Sequence, residues 1–464
     1  MEKSKKTKSL KAPHTFVILM IIILIATALT YVIPAGEYTR YEDAATGRTL
    51  VEAGSYHTID SSPVSFLAIP TKIYNAIVAA AETMTFIIII GGAFEIVTST
   101  GALTALCKKL SVLFRKHEML VIPAFLVLFS VFGCTMGMSA EVMVFVPIGI
   151  TLAYSLGLDK VTGTAMIAMG AASGFTAGLL NPFNVGVAQS IAELPLYSGL
   201  AYRAVILVIL LIADTLYITW YAKRVKKDPT KSIIYGEIEE DSYSFGEIED
   251  NMSIRQILVL ITVVVCFAIL IYGLTALGWY FEEMSSIFIF MGIIAGFVYG
   301  YGPSKIATVF GKGAQNLLVG ALIVGVARTV EVVLSDASIL DTIIYAIASV
   351  VNLLPHSLQA VGMFISQSLV NCVITSGTGQ AAVTMPLMVP VADLVGVSRQ
   401  TAVLAFQLGD GFSNSVLPTS SALMGYLAVS KIPYTKWLKF MFPLFLIWTL
   451  LGCGFMLGAI AIGY

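Results

Sequence analysis

One carboxylate, Asp410, stands between two glycines in Gly409-Asp-Gly-Phe-Ser-Asn-Ser-Val-Leu-Pro-Thr-Ser420, with Ser413, Asn414 and Thr419 following it inside otherwise apolar sequence. An ionisable group in such a setting is costly, and by default it serves a function. It contacts a substrate or coupling ion, or it pairs internally, with Arg328 as one partner. Two glycine-broken segments carry similar chemistry, Gly133-Cys-Thr-Met-Gly-Met-Ser139 with Thr135 and Ser139, and Thr375-Ser-Gly-Thr-Gly379 with Ser376 and Thr378. A third run, Gly174-Phe-Thr-Ala-Gly-Leu-Leu-Asn-Pro182, brings Asn181 and, just beyond it, Asn184. Hydroxyl and amide side chains cap broken helix ends and equally bind a ligand, and the two uses are compatible. Glu141 follows the first broken segment; at the start of a returning helix it either stabilises that N-terminus or binds a cationic group. The five cysteines and four histidines are scattered without a ligand spacing. Neither a nucleophile arrangement nor a Walker loop nor a dinucleotide fingerprint occurs, so the chemistry is binding rather than catalysis: no enzyme and no cofactor.

The elements that hold these residues are set by composition. Of 464 residues 57% are apolar and 12% charged, against roughly 25% charged in an ordinary globular chain. So few charges cannot clothe a soluble protein of this length. A soluble enzyme and a disordered scaffold are excluded, and a formal charge of −1 gives no footprint for nucleic acid. The chain reads as an all-α polytopic membrane protein in contact with lipid. A basic N-terminus (Lys3, Lys5, Lys6, Lys8, Lys11) precedes an apolar run from Phe16 to Pro34, read as an uncleaved first span. Basic clusters at Lys108–Lys116, Lys223–Lys231, Lys305/Lys312 and Lys431–Lys439 belong on the cytoplasmic side with the N-terminus, in the cell membrane. The organisation expected is 1–34, N-terminus and first span; 35–63, an outer polar loop; 64–222, a first repeat; 223–253, an acidic cytoplasmic linker; and 254–464, a second repeat.

The repeats match in order. Glu95-Ile-Val-Thr-Ser answers to Glu331-Val-Val-Leu-Ser, Val146-Pro147 to Met385-Pro386, and Gly174-Phe-Thr-Ala to Gly411-Phe-Ser-Asn. The loop from Lys108 to His117 is basic, whereas its counterpart Asn352-Leu-Leu-Pro-His-Ser has no Lys or Arg. The topology is therefore inverted, a signature of secondary transporters, with a channel or a structural membrane protein as the competing readings. Residues 119–160 and 357–396 form re-entrant hairpins with arms of about half a membrane. Helices 161–192 and 400–430 are broken. Unwound backbone at membrane depth is tolerated only where it is buried or lines a wet cavity, so two tips and two breaks surround one site. Half-helix N-termini there favour a carboxylate, and freed carbonyls suit cations. Without a nucleotide site, the energy source is an ion gradient (Na+ or H+) or a counter-substrate. Stretches 64–80 and 303–315 read as amphipathic arms, and Arg328 with Glu331, three apart, as a neutralising pair on one helix face. No Lys or Arg occurs in the tips or breaks, which favours a zwitterionic or cationic substrate over a dianionic one.

Gly-Phe-Thr-Ala-Gly-Leu-Leu-Asn-Pro-Phe-Asn in one half and Gln-Leu-Gly-Asp-Gly-Phe-Ser-Asn in the other resemble the YfcC family over essentially the whole chain. That family is related to the anaerobic C4-dicarboxylate carriers and includes arginine–ornithine antiporters. The resemblance implies the ion-transporter superfamily fold, a homodimer with a static scaffold, and elevator-like movement of a hairpin-bearing domain. Exchange of basic amino acids is the implied activity, with carriage of a C4-dicarboxylate or other organic anion as the alternative. In relatives the hairpin tips bind substrate carboxylate and often sodium, which here would lie near Gly137, Gly377 and Asp410. The tips of this chain lack the Ser-Asn-Thr triplet of the dicarboxylate/sodium symporters.

Overall fold

The computed structural model describes residues 15–43, 48–52, 54–103, 105, 106, 109, 118–236, 252–277, 279 and 281–464. The basic segment Lys3–Lys11, the basic positions Lys108, Arg115 and Lys116, and the acidic stretch Glu237–Asp250 lie outside the described residues.

In an apolar surround every backbone N–H and C=O must find its partner within the chain, and helices do this segment by segment. The first repeat follows α1 (Thr15–Leu29) and contains α2 (Ile69–Ala79), α3 (Ala81–Ser99), a hairpin of α4 (Val121–Met136) and α5 (Val146–Ser155), a broken helix of α6 (Lys160–Ala177) and α7 (Val187–Ile191), and α8 (Leu200–Lys227). After α9 (Ile254–Ala276) and α10 (Phe281–Tyr299) the same order returns: α11 (Pro303–Ala327), α12 (Thr329–Asp336), α13 (Leu340–Asn352), a hairpin of α14 (His356–Asn371) and α15 (Gly377–Val395), a broken helix of α16 (Arg399–Ser413) and α17 (Ser421–Ser430), and α18 (Tyr434–Ile462). Among the described residues five helices are long and apolar enough to cross a membrane, and a bent pair, Phe66–Ala79 with Met84–Ser99 at 58°, makes a sixth. The protein is a multi-pass helical membrane protein built as an inverted repeat.

Two sequence expectations change. The stretch 303–315 is not a separate arm: it runs without a break into the single helix α11, whereas 66–79 does bend away from the span that follows it. The reason lies at the crossing of α11 with α3, where a Cβ on Gly313 would stand 2.2 Å from the carbonyl oxygen of Gly91. Glycine lets the two backbones touch, so α11 packs closely against its neighbour at this crossing. Gly313→Val forces the helices apart; we expect a lower melting temperature in detergent by roughly several degrees, and an unchanged melt would show the crossing to be slack. The second change is arm length. α4 and α14 have 16 residues each, roughly 24 Å of helix, more than half of a ~30 Å hydrocarbon core.

The broken helices form the centre. All of α16 from Thr401 to Ser413 is buried, as is nearly all of α6. A helix buried all round needs small residues to let neighbours approach, which Lys160-Val-Thr-Gly-Thr-Ala-Met-Ile-Ala-Met-Gly-Ala-Ala-Ser-Gly-Phe-Thr-Ala supplies. Asp159 caps α6 by accepting from the Thr162 amide at 2.9 Å, and Ser398 caps α16 through Thr401 at 3.0 Å. The loop expected over 35–63 carries two short antiparallel ladders, β1 (Gly36–Glu37) with β4 (His57–Thr58) and β2 (Arg40–Asp43) with β3 (Arg48–Val51). It is tied to α13 by Arg40 on Asp341 at 2.9 Å and by Tyr56 stacked on Tyr345 at 4.2 Å between ring centres.

Candidate substrate site

Both hairpin tips and both helix breaks meet. At the first break α6 stops at Ala177, and Pro182, which has no amide hydrogen, enters the next turn. Asn181 restores the lost order: its Oδ1 accepts from the amides of Phe183 at 2.9 Å and Asn184 at 3.2 Å. The first tip lies on this turn. Gly137 ends α4 with φ 65°, a Cβ there would stand 2.3 Å from Asn181 Oδ1, and the Leu180 amide donates to the Cys134 carbonyl at 2.8 Å. The second tip reaches the same place from the other repeat. Ser376 caps α15 through the Gly379 amide at 3.3 Å, and the Thr378 hydroxyl donates to the Phe183 carbonyl at 2.8 Å.

Asp410 joins the two breaks. Asn184 Nδ2 donates to its Oδ2 at 2.6 Å, and Asn414 Nδ2 donates to its Oδ1 at 2.8 Å. The Asn371 amide on α14 donates to the Asp410 carbonyl at 3.1 Å and to the Ser413 hydroxyl at 2.7 Å. Asp410 is fully buried, and its partners are neutral amides rather than Arg328. Three amide oxygens in the cluster, Oδ1 of Asn184, Asn371 and Asn414, are buried with no donor among the described residues. Each is an acceptor still free to take a donor or a cation.

Other expected site residues stand apart from this knot. The Thr135 hydroxyl turns back to its own helix, donating to the Val131 carbonyl at 2.5 Å. Glu141 Oε2 accepts from the Ser139 amide at 2.8 Å, so the carboxylate serves its own helix start, and the Ser139 carbonyl accepts from the Tyr426 hydroxyl of α17. Thr419 donates to the Cys372 carbonyl at 3.3 Å, and it also faces a cavity.

That cavity, about 50 Å³ of free space, is lined by Arg328 and Glu331 together with Thr375, Thr419 and Ser421. Thr375 lies just before the cap of α15, and Ser421 is the first residue of α17, so two helix N-termini border it. The expected Arg328–Glu331 pair is not formed: among the described residues no ion pair involves Arg328, although both side chains look into the same space. They stay on one face, because the backbone remains helical through Arg328 and its carbonyl accepts from the Val332 amide at 3.2 Å. Glu95, the repeat mate of Glu331, is instead bound by Lys312 at 2.9 Å. Sequence reasoning left Arg328 and Glu331 out of the site. The available signal was an arginine inside an apolar run, and spacing alone read it as paired. The ground for disfavouring an anion also changes, since Arg328 supplies the cation that the tips and breaks lack.

A family model described as C4-dicarboxylate anaerobic carrier matches residues 12–461. The chain belongs to the C4-dicarboxylate anaerobic carrier family. Within reach of this carrier is an Escherichia coli (strain K12) protein, provisionally named basic amino acid antiporter YfcC, 33% identical over 488 residues that cover 94% of each chain. A Haemophilus influenzae protein without an assigned function is 27% identical and covers 99% of this carrier and 98% of its own length. Among solved structures, the YdaH transporter of Alcanivorax borkumensis aligns over 97% of this carrier and 99% of its own chain at 15% identity and a TM-score of 0.42. Neisseria gonorrhoeae MtrF, described with a class of antimetabolite efflux pumps, aligns over 96% and 95% at 16% identity and a TM-score of 0.42. The carrier is thus a membrane transporter of small molecules, an antiporter or carrier rather than an enzyme.

Proposed function

We propose that this carrier exchanges amino acids of the arginine and ornithine type across the cell membrane, with its N-terminus in the cytoplasm. The observation that carries this reading is the pairing of opposite, unspent charges in one cavity. Arg328 and the N-terminal ends of α15 and α17 suit a carboxylate. Glu331, on the next helical turn, suits an ammonium or guanidinium and opposes a second carboxylate. An α-amino acid answers to both, and a C4-dicarboxylate answers to one. Asp410, with its amide partners, lies beyond the second tip and would receive a cationic end when that tip moves.

Movement is part of the proposal. About 50 Å³ holds one or two waters, so a bound amino acid requires the second hairpin to withdraw from Thr419 and Ser421. An elevator-like displacement of the hairpins and broken helices, within a homodimer, would do this. The orphaned oxygens of Asn184, Asn371 and Asn414 beside Asp410 also form a hard oxygen set of the kind a sodium ion takes.

Counterflow in proteoliposomes tests the reading. Vesicles loaded with unlabelled arginine or ornithine are expected to accumulate external labelled arginine, and vesicles loaded with succinate are not. Accumulation of labelled succinate in succinate-loaded vesicles, with none for arginine, would replace the amino acid by the dicarboxylate. Repeating the assay with and without a sodium gradient tests the cation beside Asp410.

A further inference from the structure

Asp214 is a second carboxylate at membrane depth, and the substrate site does not use it. It sits midway along α8 and is fully buried. The Ser173 hydroxyl donates to its Oδ2 at 2.5 Å, and the Trp448 indole donates Nε1–H to its Oδ1 at 2.8 Å. Both partners are neutral. The titratable groups on the elements packed along α8 are Asp159 and Lys160 at the start of α6, Cys134 in α4, Lys231 and Asp228 at the turn after α8, and Tyr434, Lys436, Lys439 and Cys453 in α18; on α8 itself Tyr221 donates to Asp159 at 2.6 Å and Lys226 pairs with Glu118. On its own helix Tyr217 donates to the Phe440 carbonyl and Arg203 to the Ser198 carbonyl at 2.8 Å. Among the described residues none of these cations forms an ion pair with Asp214. A carboxylate kept in a membrane protein without a counter-charge is expensive unless it acts.

The repeat supplies an independent reason. Ser173-Gly-Phe175 occupies the place in the first broken helix that Asp410-Gly-Phe412 occupies in the second. The two helices cross there, Gly411 lying against Thr176. Where the second repeat has a carboxylate of its own, the first has Ser173, and Asp214 delivers a carboxylate to it from α8. The other end of Asp214 reaches the second repeat, because Trp448 packs its ring on Phe412 with centres 5.2 Å apart.

We propose that Asp214 is a proton-binding site that couples this carrier to a pH gradient. The neighbours fit a proton and not a metal ion. An indole N–H only donates and cannot ligate a cation, whereas a hydroxyl both donates and accepts. When Oδ2 takes a proton, it donates to Ser173 Oγ, and the Ser173 hydroxyl turns its own hydrogen away. One hydrogen bond between α8 and the first broken helix thereby reverses direction. The inference rests on the family's carrier function, not on which substrate is carried.

Two measurements on the full-length protein test it. Difference infrared spectroscopy across a pH titration, without substrate, is expected to show a carboxylic acid C=O band that Asp214→Asn removes. In proteoliposomes, accumulation of arginine driven by an imposed pH gradient is expected to fall at least tenfold in Asp214→Asn, while arginine counterflow without the gradient falls far less. Retention of the band, or of gradient-driven accumulation, would overturn the proposal. Should wild type carry no arginine, the amino-acid reading fails while the infrared result still decides the proton site. If Asp214→Asn does not reach the membrane, Trp448→Phe keeps the carboxyl and removes one donor. It must then displace the midpoint of the infrared titration by roughly half a pH unit or more, and an unmoved midpoint would sink the idea.

Discussion

Asp410→Asn is expected to lower exchange by at least about 100-fold while the protein still inserts and folds. The carboxylate accepts one hydrogen bond from each broken-helix region, Asn184 at 2.6 Å and Asn414 at 2.8 Å. A hydrogen bond to a charged acceptor contributes roughly 1.5–3 kcal/mol, against about 1 kcal/mol for a neutral one. Losing the charge on two such bonds weakens the junction by about 1–4 kcal/mol, and it also removes the negative charge offered to a cation. The fold survives because the amides around the site can rotate: Asn184 and Asn414 each hold a spare Oδ1 that accepts from the new side-chain NH2. Labelled arginine counterflow, normalised to protein recovered in the vesicles, is the measurement. Normal exchange by the variant would remove Asp410 from the mechanism and leave it as a structural tie between repeats.

Arg328→Ala is expected to raise the arginine concentration needed for half-maximal exchange without loosening the fold. A charged hydrogen bond to a substrate carboxylate contributes roughly 1.5–3 kcal/mol, so the shift expected is about 10- to 150-fold. The melting temperature should stay where it is, because among the described residues Arg328 has no ion pair to lose. That separation is diagnostic, since a structural arginine would move the melt and spare the substrate dependence. Glu331→Gln should act differently, weakening arginine while relieving the repulsion that a dicarboxylate meets in the cavity. If neither substitution alters substrate dependence, the cavity between α11, α12 and α17 is not on the transport path.

Periodic apolar runs, clustered basic residues and two glycine-rich interruptions per repeat are local properties of the chain. They suffice for a helical membrane protein, because hydrocarbon leaves the backbone no partner but itself. The repeat and the breaks were legible for the same reason: Gly137 and Pro182 act on their own backbone wherever the chain goes. Asp410, Asn181 and Asn184 stand out in the sequence because polar groups at depth are rare, whereas the Asn184–Asp410 contact itself needed the fold.

Partnership was not legible. Arg328 and Glu331 are three apart and read as a pair, yet both border a cavity whose other polar walls, Thr375, Thr419 and Ser421, come from elements far downstream. Glu141 read equally as a helix-start acid or a binding residue, and only the fold shows it accepting from the Ser139 amide of its own tip. The stretch 303–315 read as a separate arm, and the fold makes it the first half of α11, packed on Gly91. Asp214 drew no notice, because its meaning depends on Ser173 and Trp448, from two helices distant in sequence. Sequence alone determined what must lie in the membrane and where the helices break, since those follow from the cost of an unpaired backbone group. Only the tertiary structure decided which charges remain unspent, since a charge is neutralised by whatever packing brings within a few ångströms of it.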